Sequence, residues 1–319
     1  MLRFLSKTNF RVSQCSSLSS YALQYKEHGD PSTVLEKVEL DLADNLESDQ
    51  VLVKTLAAPV NPADINMVQG KYALKPKLPA VGGNEGVSEV IKVGPSVKNL
   101  KVGSWVIPYD AGKGTWRTHT LCREEEVIQV DETIPLTSAA TISVNPCTAY
   151  RMLKDFENLK EDRPDFESLR SHLMNLGATH VVVENELRSP VMTDIFKEIP
   201  KPSLGLNCVG GKSVSELIRN MKDKGTIVTY GGMSKQPIAL STASLIFNDM
   251  RIVGFWMTRW SQQCSIEERK SMLQEITSIM KKGCLRPPVS REVKFDNFKD
   301  AIAKAMEPYV SEKQILVMD

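Results

Sequence analysis

The sequence has little that would commit it to a disulfide-stabilised, metal-binding, membrane-spanning or nucleic-acid-binding role. Its 319 residues include six cysteines and four histidines, with no Cys-x-x-Cys or HExxH spacing among them. A zinc cluster or a disulfide framework is therefore not expected. No window approaches the roughly 20 apolar residues that cross a bilayer. The 40 Lys and Arg residues nearly balance the 39 Asp and Glu residues, so nothing in the charge favours a nucleic acid partner.

Acidic residues are missing from the N-terminus, where the first carboxylate is Glu27. Arg3, Lys7 and Arg11 stand before it, together with six serines between positions 6 and 20. A basic, Ser-rich and acid-poor stretch is typical of a mitochondrial transit peptide. We therefore expect residues 1–22 to be a transit peptide and the protein to reach the mitochondrial matrix. The alternative is a tail with an accidental bias in composition.

What is present is the composition of a two-domain globular enzyme, with 41% hydrophobic and 25% charged residues. Residues 23–135 are predicted to be rich in β-structure, because short β-branched runs alternate there with Gly, Pro and Asn turns. The predicted strands are 51–55, 86–93, 104–108 and 126–130.

After Pro135 the pattern becomes helical and then alternates. One long helix is predicted over 138–156, with Pro146 in its first turn or at a kink. Strands and helices that alternate at this spacing indicate a doubly wound parallel sheet. The predicted helices are 164–176, ended by Gly177, then 187–197, 213–222, 265–281 and 298–306. The predicted strands are 180–183, 204–209, 225–230, 251–256 and 314–318.

Glycines recur at the ends of the short strands between residues 82 and 106, in GGNEGV (82–87) and VGSWV (102–106). On local grounds they serve the turns of a β-barrel. The pattern also resembles the GroES-like domain of medium-chain dehydrogenases/reductases. Zinc alcohol dehydrogenases carry a metal-binding histidine where Asn84 stands. The resemblance is therefore to the zinc-free, quinone-reductase-like branch, and no metal is expected.

Several further motifs, in the same order along the chain, resemble the mitochondrial 2-enoyl-thioester reductases of that branch. They are LAAPVNPADINMVQGKY (56–72), AGKGTWRT (111–118), VNPCTAYRML (144–153), LNCVGGKS (206–213), TYGGMSKQP (229–237) and SEKQIL (311–316). The resemblance implies an α/β fold of two domains. One is a GroES-like β-barrel formed by 23–140 and 286–319, and the other is a Rossmann-like parallel sheet over 141–285. It also implies NADPH-dependent reduction of trans-2-enoyl thioesters, carried on acyl-carrier protein or CoA, and a homodimer.

Tyr72 lies in a short polar loop, and on local pattern alone it is a partly exposed turn tyrosine of the kind that loops commonly carry. The resemblance instead aligns Tyr72 with the catalytic tyrosine of the family. Hydride attack on the β-carbon of an enoyl thioester leaves negative charge on the thioester oxygen. A phenol can donate a hydrogen bond to that oxygen and can supply or relay the proton for the α-carbon.

The resemblance also places cofactor-binding residues at strand ends and at the start of one helix, where glycines let a ligand approach the backbone. Each position has an ordinary structural alternative: a helix N-cap at 145, a simple turn at 230–233, core packing at 255–257 and a solvated side chain at 313. The expected cofactor-binding residues are Asn145, Tyr230, Gly231, Gly232, Met233, Phe255, Trp256, Met257 and Lys313.

Asp162 and Arg163 resemble the family's segment around the adenosine ribose. A guanidinium there can bind the 2′-phosphate that distinguishes NADPH from NADH, which makes NADPH the expected cofactor. The alternative is an ordinary charged helix start before Pro164.

One expected part of the cofactor domain is missing from the sequence. Between residues 150 and 205 the only glycines are Gly177 and Gly205, so there is no glycine-rich loop to bind a pyrophosphate. Family members carry a βαβ stretch of roughly 30–35 residues here, the size of one such unit. The join at residues 160–162 is therefore interpreted as an internal deletion that removes the first βαβ unit of the Rossmann-like sheet.

Two other functions stay open at this point. A catalytically impaired variant of the same enzyme would act only as a binding or dominant-negative partner. A quinone or small-enone reductase from the same superfamily is the other alternative, although quinones need no donor for a thioester enolate, which Tyr72 would supply.

Overall fold

A computed structural model describes residues 19–42, 45–156, 173–308 and 310–318. The chain forms two compact units, the first from Met1–Val144 with Cys264–Asp319 and the second from Asn145–Gln263. In the part that is described, no helix is long and apolar enough to cross a membrane.

The elements follow the chain in this order. The strands are β1 (Ser19–Tyr25), β2 (Glu36–Asp41), β3 (Gln50–Pro59), β4 (Ala80–Val81), β5 (Val87–Val93), β6 (Trp105–Pro108), β7 (His119–Arg123), β8 (Val127–Val130), β9 (Leu204–Asn207), β10 (Thr226–Thr229), β11 (Arg251–Gly254), β12 (Ser290–Lys294) and β13 (Lys313–Val317). The helices are α1 (Pro31–Val34), α2 (Pro62–Val68), α3 (Leu136–Thr141), α4 (Asn145–Phe156), α5 (Pro190–Glu198), α6 (Ser213–Arg219), α7 (Thr242–Phe247), α8 (Met257–Gln263), α9 (Ile266–Lys281) and α10 (Phe298–Met306).

The first unit is built on a large sheet in the order β12-β13-β3-β5-β6-β8, with β7 also paired to β3. A second, three-stranded sheet has the order β2-β1-β4. Trp116 is fully buried in the main core cluster, and its ring explains two neighbouring glycines. A Cβ on Gly82 would lie 2.4 Å from that ring, and Gly83 has a φ of +90°, so neither position accepts a side chain.

The C-terminal strand completes this sheet. β13 runs antiparallel to β3, with Ile315 opposite Pro59 and Leu316 opposite Ala58. Ile315 and Leu316 are fully buried, so the last strand is fixed both by its hydrogen bonds and by its apolar side chains. Residues distant in sequence are thereby brought to the start of α2, which follows β3 directly.

The second unit contains a parallel sheet in the order β11-β10-β9. Val214 and Ile218 of α6 pack with Ile227 of β10 in a small core cluster. Parallel strands joined by helices are the predicted arrangement, and the predicted α/β fold class is confirmed. Among the described residues, β9 has no strand paired along its other edge.

Three predictions about elements were wrong. The helix predicted over 138–156 is two helices, α3 and α4, because Pro146 cannot donate a backbone hydrogen bond and its ring obstructs the preceding turn. The strand predicted over 180–183 does not form, since a β-branched run needs a neighbouring strand. The helix predicted to start at Leu187 starts instead at Pro190, where a missing N–H costs nothing.

The ends of the predicted domains differ from the compact units. β1 begins at Ser19, inside the predicted transit peptide 1–22, and Ala22 is fully buried. Residues 1–18 lie outside the described residues. Helix α9 belongs to the first compact unit, although it falls inside the range 141–285. The family-derived boundaries stay a prediction, since compactness and family membership define domains differently.

Candidate active site

Tyr72 lies in the first unit, four residues after the end of α2, and it is half-buried. The backbone leading to it is fixed. The Gly70 N–H donates to the Met67 carbonyl at 2.9 Å, and the Lys71 N–H donates to the Asn66 carbonyl at 2.8 Å. The position of the Tyr72 phenol therefore depends on how α2 is held.

Helix α2 is held by a buried polar cluster at its N-terminal end. The Asp64 carboxylate accepts from the Asn61 backbone N–H at 2.8 Å and from the Asn84 side-chain amide at 2.6 Å. The Asn84 side-chain oxygen accepts in turn from the Gly112 N–H at 2.7 Å. The Asn84 side chain thus links two loops to α2 by hydrogen bonds. Among the described residues, no group of His, Cys, Asp and Glu side chains could hold a metal ion.

Lys313 and Glu85 complete this cluster. The Lys313 ammonium donates to the Asn61 side-chain oxygen at 2.5 Å, and the Asn61 amide nitrogen donates to a Glu85 carboxylate oxygen at 2.9 Å. The other Glu85 oxygen accepts from the Val144 N–H at 2.8 Å. Lys313 is therefore not the freely solvated side chain that its sequence alone allowed.

Burial dominates the electrostatics of the two acids. It raises the pKa of Glu85 to about 7, against opposing contributions led by the Lys313 charge and the Asn61 hydrogen bond. Burial likewise raises the pKa of Asp64 to about 6, opposed by hydrogen bonds from Asn61 and Asn84. Two carboxyls that titrate near neutrality beside one lysine are a feature commonly found at functional sites.

In the second unit, the polar side chain of Asn207 organises the end of β9. Its amide donates to the Thr229 hydroxyl at 3.0 Å. Its oxygen accepts from the Val209 N–H at 3.2 Å and the Gly210 N–H at 3.0 Å. This fixes the loop that leaves the carboxyl end of β9, which is where open α/β sheets bind their ligands.

The predicted residues 230–233 follow β10 and pack against that loop. The Met233 N–H donates to the Cys208 carbonyl at 3.0 Å. A Cβ on Gly231 would lie 2.9 Å from the same carbonyl, whereas one on Gly232 would meet nothing within 4 Å. Burial, and then the neighbouring Cys208 thiol, raise the pKa of Tyr230 to about 12, so its phenol stays protonated at neutral pH.

Phe255, Trp256 and Met257 follow β11, and the Phe255 N–H donates to the Thr229 carbonyl at 2.9 Å. Because β10 and β11 are in parallel register, these residues lie beside the segment after β10. The Phe255 ring packs edge-on against Phe156, with centroids 6.2 Å apart. Asn145 is exposed at the opposite end of α4 from Phe156, about 16 Å away along the helix axis.

Apart from Asn145 at the far end of α4, the predicted site residues that the structure describes form two groups, one in each unit. Tyr72 and Lys313 are connected through α2 and Asn61 in the first unit. Residues 230–233 and 255–257 adjoin one another in the second unit. Asp162 and Arg163 lie outside the described residues, as does the join at 160–162.

Sequence reasoning did not identify Asn61, Asp64, Glu85 or Asn207. Asn61 stands in the motif VNPAD between two apolar residues, which is a visible signal, whereas Glu85 stands in GGNEG between Asn84 and Gly86 and gives no such signal. What was not visible is that β13 brings Lys313 to the same place, because pairing between distant strands cannot be deduced from local pattern.

Two family descriptions match the chain. Residues 47–132 match the alcohol dehydrogenase GroES-like domain, and residues 166–278 match the zinc-binding dehydrogenase family. The human mitochondrial enoyl-[acyl-carrier-protein] reductase is 46% identical over 330 residues, covering 93% of this chain and 88% of that protein. The structure of the Etr1p/NADP/crotonyl-CoA complex superposes with a TM-score of 0.86 at 32% identity, covering 94% of this chain and 100% of that chain.

The relative from Caenorhabditis elegans, with the same name as the human protein, is 38% identical over 353 residues, and the match takes in all of both chains. This chain has 319 residues, so the alignment includes about 34 positions at which it has no residue. That length agrees with one βαβ unit. The place of the gap stays a prediction. The extent and order of these matches show that the chain belongs to the mitochondrial enoyl-[acyl-carrier-protein] reductase family of the medium-chain dehydrogenases/reductases.

Proposed function

We propose that the protein is an NADPH-dependent reductase of trans-2-enoyl thioesters. The observation that carries this proposal is the family membership together with Tyr72, held by α2 in the unit that matches the GroES-like domain. One solved relative is described as the Etr1p/NADP/crotonyl-CoA complex. By contrast, a putative NADPH:quinone reductase is only 21% identical, so its likeness concerns the fold and does not favour a quinone substrate.

Tyr72 is the proposed catalytic residue. NADPH supplies the hydride for the β-carbon, and the electrons of the carbon–carbon double bond move toward the thioester oxygen. The Tyr72 phenol donates a hydrogen bond to that oxygen as its negative charge develops. A proton at the α-carbon then completes the saturated thioester, and the same phenol is positioned to supply or relay it.

The second unit is proposed to bind the nicotinamide half of the cofactor. Gly231 lies so close to a backbone carbonyl that only glycine fits, and the space beside Gly232 is open. We propose residues 230–233 and 255–257 as the part of the site that binds the nicotinamide, with Asn145 and Lys313 as further contacts. Asp162 and Arg163 are proposed for the 2′-phosphate on the resemblance alone. The missing glycine-rich loop leaves the pyrophosphate without its usual backbone donors.

The physiological substrate is proposed to be an enoyl group on acyl-carrier protein, as in the names of the relatives. The protein is proposed to act in mitochondria, which those names also state. A dimer is proposed as well, since the Candida tropicalis enzyme is described as an Etr1p/Etr2p heterodimer.

The test is steady-state turnover of crotonyl-CoA and crotonyl-acyl-carrier protein with NADPH, with NADH and a quinone as controls. We expect NADPH oxidation that depends on the enoyl thioester, and a lower KM for the acyl-carrier-protein form. Oxidation driven equally well by the quinone would contradict the proposed substrate class. Binding of NADPH with no thioester reduction at any enzyme concentration would leave only the impaired variant.

A further inference from the structure

Lys313 is placed by strand register before any side-chain contact is made. Because Ile315 pairs with Pro59 across antiparallel strands, residue 313 comes opposite residue 61. The Gln314 carbonyl accepts from the Val60 N–H at 2.9 Å and extends this pairing past the end of β3. The Lys313 side chain thus starts from a fixed point beside Asn61.

Asn61 connects that lysine to a carboxylate. It is 4% exposed, and each end of its amide has a separate partner. The oxygen accepts from Lys313 and the nitrogen donates to Glu85. The opposite orientation would place the amide NH₂ against the ammonium, where both groups are donors.

Glu85 cannot rotate to serve another partner. It is 1% exposed, and the oxygen that faces away from Asn61 is held by the Val144 N–H at 2.8 Å and the Ser143 hydroxyl at 3.4 Å. The Glu85 backbone carbonyl accepts from the Thr115 hydroxyl at 2.8 Å. A carboxylate held in this way is an oriented acceptor in a site that excludes water.

We propose that Glu85 is a positioning residue that fixes Lys313, through Asn61, in the orientation required to contact the cofactor. This inference rests on the proposed function, in which Lys313 binds NADPH. A long lysine side chain loses rotamer entropy when its ammonium is fixed. Holding its ammonium before the cofactor arrives removes that cost from binding.

Glu85→Gln tests the connection without leaving a cavity. The new NH₂ must face either the Val144 N–H or the Asn61 NH₂, and both are donors. If the Asn61 amide turns over so that its oxygen accepts from the introduced NH₂, its own NH₂ then faces the Lys313 ammonium. In each arrangement two hydrogen-bond donors face each other. The arrangement in which the Asn61 amide turns over places this contact at Lys313, so we expect the Lys313 ammonium to lose its hydrogen bond to Asn61.

The first measurement is amine acetylation of the full-length protein without cofactor, followed residue by residue by mass spectrometry. Glu85→Gln should raise the rate at Lys313 by about 3–10-fold, which corresponds to the usual net contribution of one hydrogen bond. The rate at the exposed Lys197 should not change. The matched control is Glu126→Gln, which removes the carboxylate bound to Lys113 at 2.7 Å and should raise the rate at Lys113 but not at Lys313.

General loosening of the fold would raise the rates at all buried and half-buried lysines together, so a selective effect on Lys313 separates positioning from stability. Asn61→Leu is a second variant of nearly the same size. It removes the link while leaving Glu85 and Val144 in place, and it should raise the Lys313 rate similarly. An unchanged Lys313 rate in both variants would overturn the inference.

The second measurement is a double-mutant cycle on NADPH affinity. Glu85→Gln should weaken binding by about 5–20-fold, and it should add less than about twofold to Lys313→Met, because both act through one ammonium. If the losses of NADPH affinity caused by Glu85→Gln and Lys313→Met multiply in the double variant, the two residues act independently and the inference is overturned. If Lys313→Met leaves NADPH affinity unchanged, the proposed contact is wrong. In that case, a raised Lys313 rate in Glu85→Gln would still show that Glu85 orients Lys313.

Discussion

At the scale of single residues, the phenol of Tyr72 is the group whose chemistry is most specific. Its loop is fixed by two backbone hydrogen bonds to α2, and α2 is anchored by the buried Asp64. Tyr72→Phe removes one donor while keeping the ring. In a version of the chain with the missing segment restored, we expect kcat to fall by about 10²–10³, the usual effect of losing one oxyanion donor, with NADPH affinity barely changed.

Stopped-flow measurement of the hydride step, with NADPH affinity determined separately, checks this prediction. Because the substitution leaves every proposed cofactor-binding residue in place, a parallel loss of NADPH affinity would show that Tyr72 acts on the structure of the site. A Phe variant of near-normal rate would remove Tyr72 from the mechanism.

The raised pKa of Glu85 has a consequence for stability. A carboxyl with a higher pKa in the folded than in the unfolded state binds more protons when folded, so it favours folding less as the pH rises. From a pKa near 7, this loss occurs between about pH 4.5 and 8. The pKa of His119 is lowered, first by burial, and contributes with the opposite sign.

Comparison of the wild type with Glu85→Gln isolates the contribution of Glu85 to the pH dependence of stability. The free energy of unfolding of the wild type, relative to Glu85→Gln, should fall by about 1–3 kcal/mol between pH 5 and pH 8. Glu126→Gln is the control, because hydrogen bonds, the Arg123 backbone first, lower the pKa of Glu126, so that it is ionised throughout this range. Urea unfolding at both pH values measures this difference in the free energy of unfolding between the wild type and Glu85→Gln. A difference that does not change or that rises with pH would contradict a raised pKa for Glu85.

The residues that the sequence identified are those next to glycine or in a distinctive motif, such as Tyr72 and Gly231. Asn61 and Glu85 are not among the residues predicted from the sequence, although Asn61 contacts both the start of α2 and Lys313. Their role depends on β13 pairing with β3 across more than half of the chain. Such pairing is decided by the packing of the whole unit and leaves no local signal.

At the scale of elements, the turn after β10 distinguishes two adjacent glycines. A Cβ at Gly231 would lie 2.9 Å from the Cys208 carbonyl, while one at Gly232 would meet no atom within 4 Å. We therefore expect Gly231→Ala to push the segment 230–233 away from the end of β9. It should weaken NADPH binding by at least about tenfold, which is roughly 1.4 kcal/mol.

Gly232→Ala is the matched control and should stay within about threefold of the wild type, because open space accepts the methyl group. Titration of NADPH against tryptophan fluorescence compares the two, as Trp256 and Trp260 both lie in this unit. Equal losses in the two variants would mean that the close approach at Gly231 does not shape the cofactor site.

Local pattern served the short strands well, because alternating apolar residues and glycine turns act over a few residues. It failed where the structure of a segment depends on a neighbouring element that is distant in sequence. The run at 180–183 has the composition of a strand, yet no strand pairs with it among the described residues. The sequence indicates that Pro146 starts or kinks a helix, and the structure shows that α3 ends and α4 begins beside it.

At the scale of the whole molecule, about 34 positions present in a relative are missing from this chain. If they are the predicted βαβ unit, the diphosphate of NADPH loses a set of backbone donors and a helix N-terminus. We expect NADPH to bind at least about 10³-fold more weakly than to a full-length relative, or some 4 kcal/mol. Inserting the relative's segment at 160–162 should restore most of the affinity in calorimetric titrations. Equal affinity in both proteins would show that other donors replace the loop.

The described residues of the two units differ in the size of their apolar clusters. The cluster around Trp116 in the first unit joins sixteen buried residues, whereas the cluster around Ile227 in the described part of the second unit joins five. Helix α7 in the second unit leaves Phe247 79% exposed, and β9 has an unpaired edge in the described chain. Burial supplies most of the stability of a fold, so the second unit should open first.

Limited proteolysis provides the test. Early cuts should fall within 145–263. These cuts separate the two chain segments that form the first unit, but the fold of that unit should remain intact. Because β13 is hydrogen-bonded to β3 and α10 packs in the same core, the N-terminal and C-terminal fragments should remain associated through gel filtration and separate only in denaturant.

The buried pair Ile315 and Leu316 offers a control. Leu316→Ala removes buried side-chain volume at a cost of about 2–5 kcal/mol, and it should let the C-terminal fragment dissociate after the same cuts. First cuts inside 45–130, or fragments of the unmodified protein that separate at once, would contradict the idea that the first unit is the more stable part.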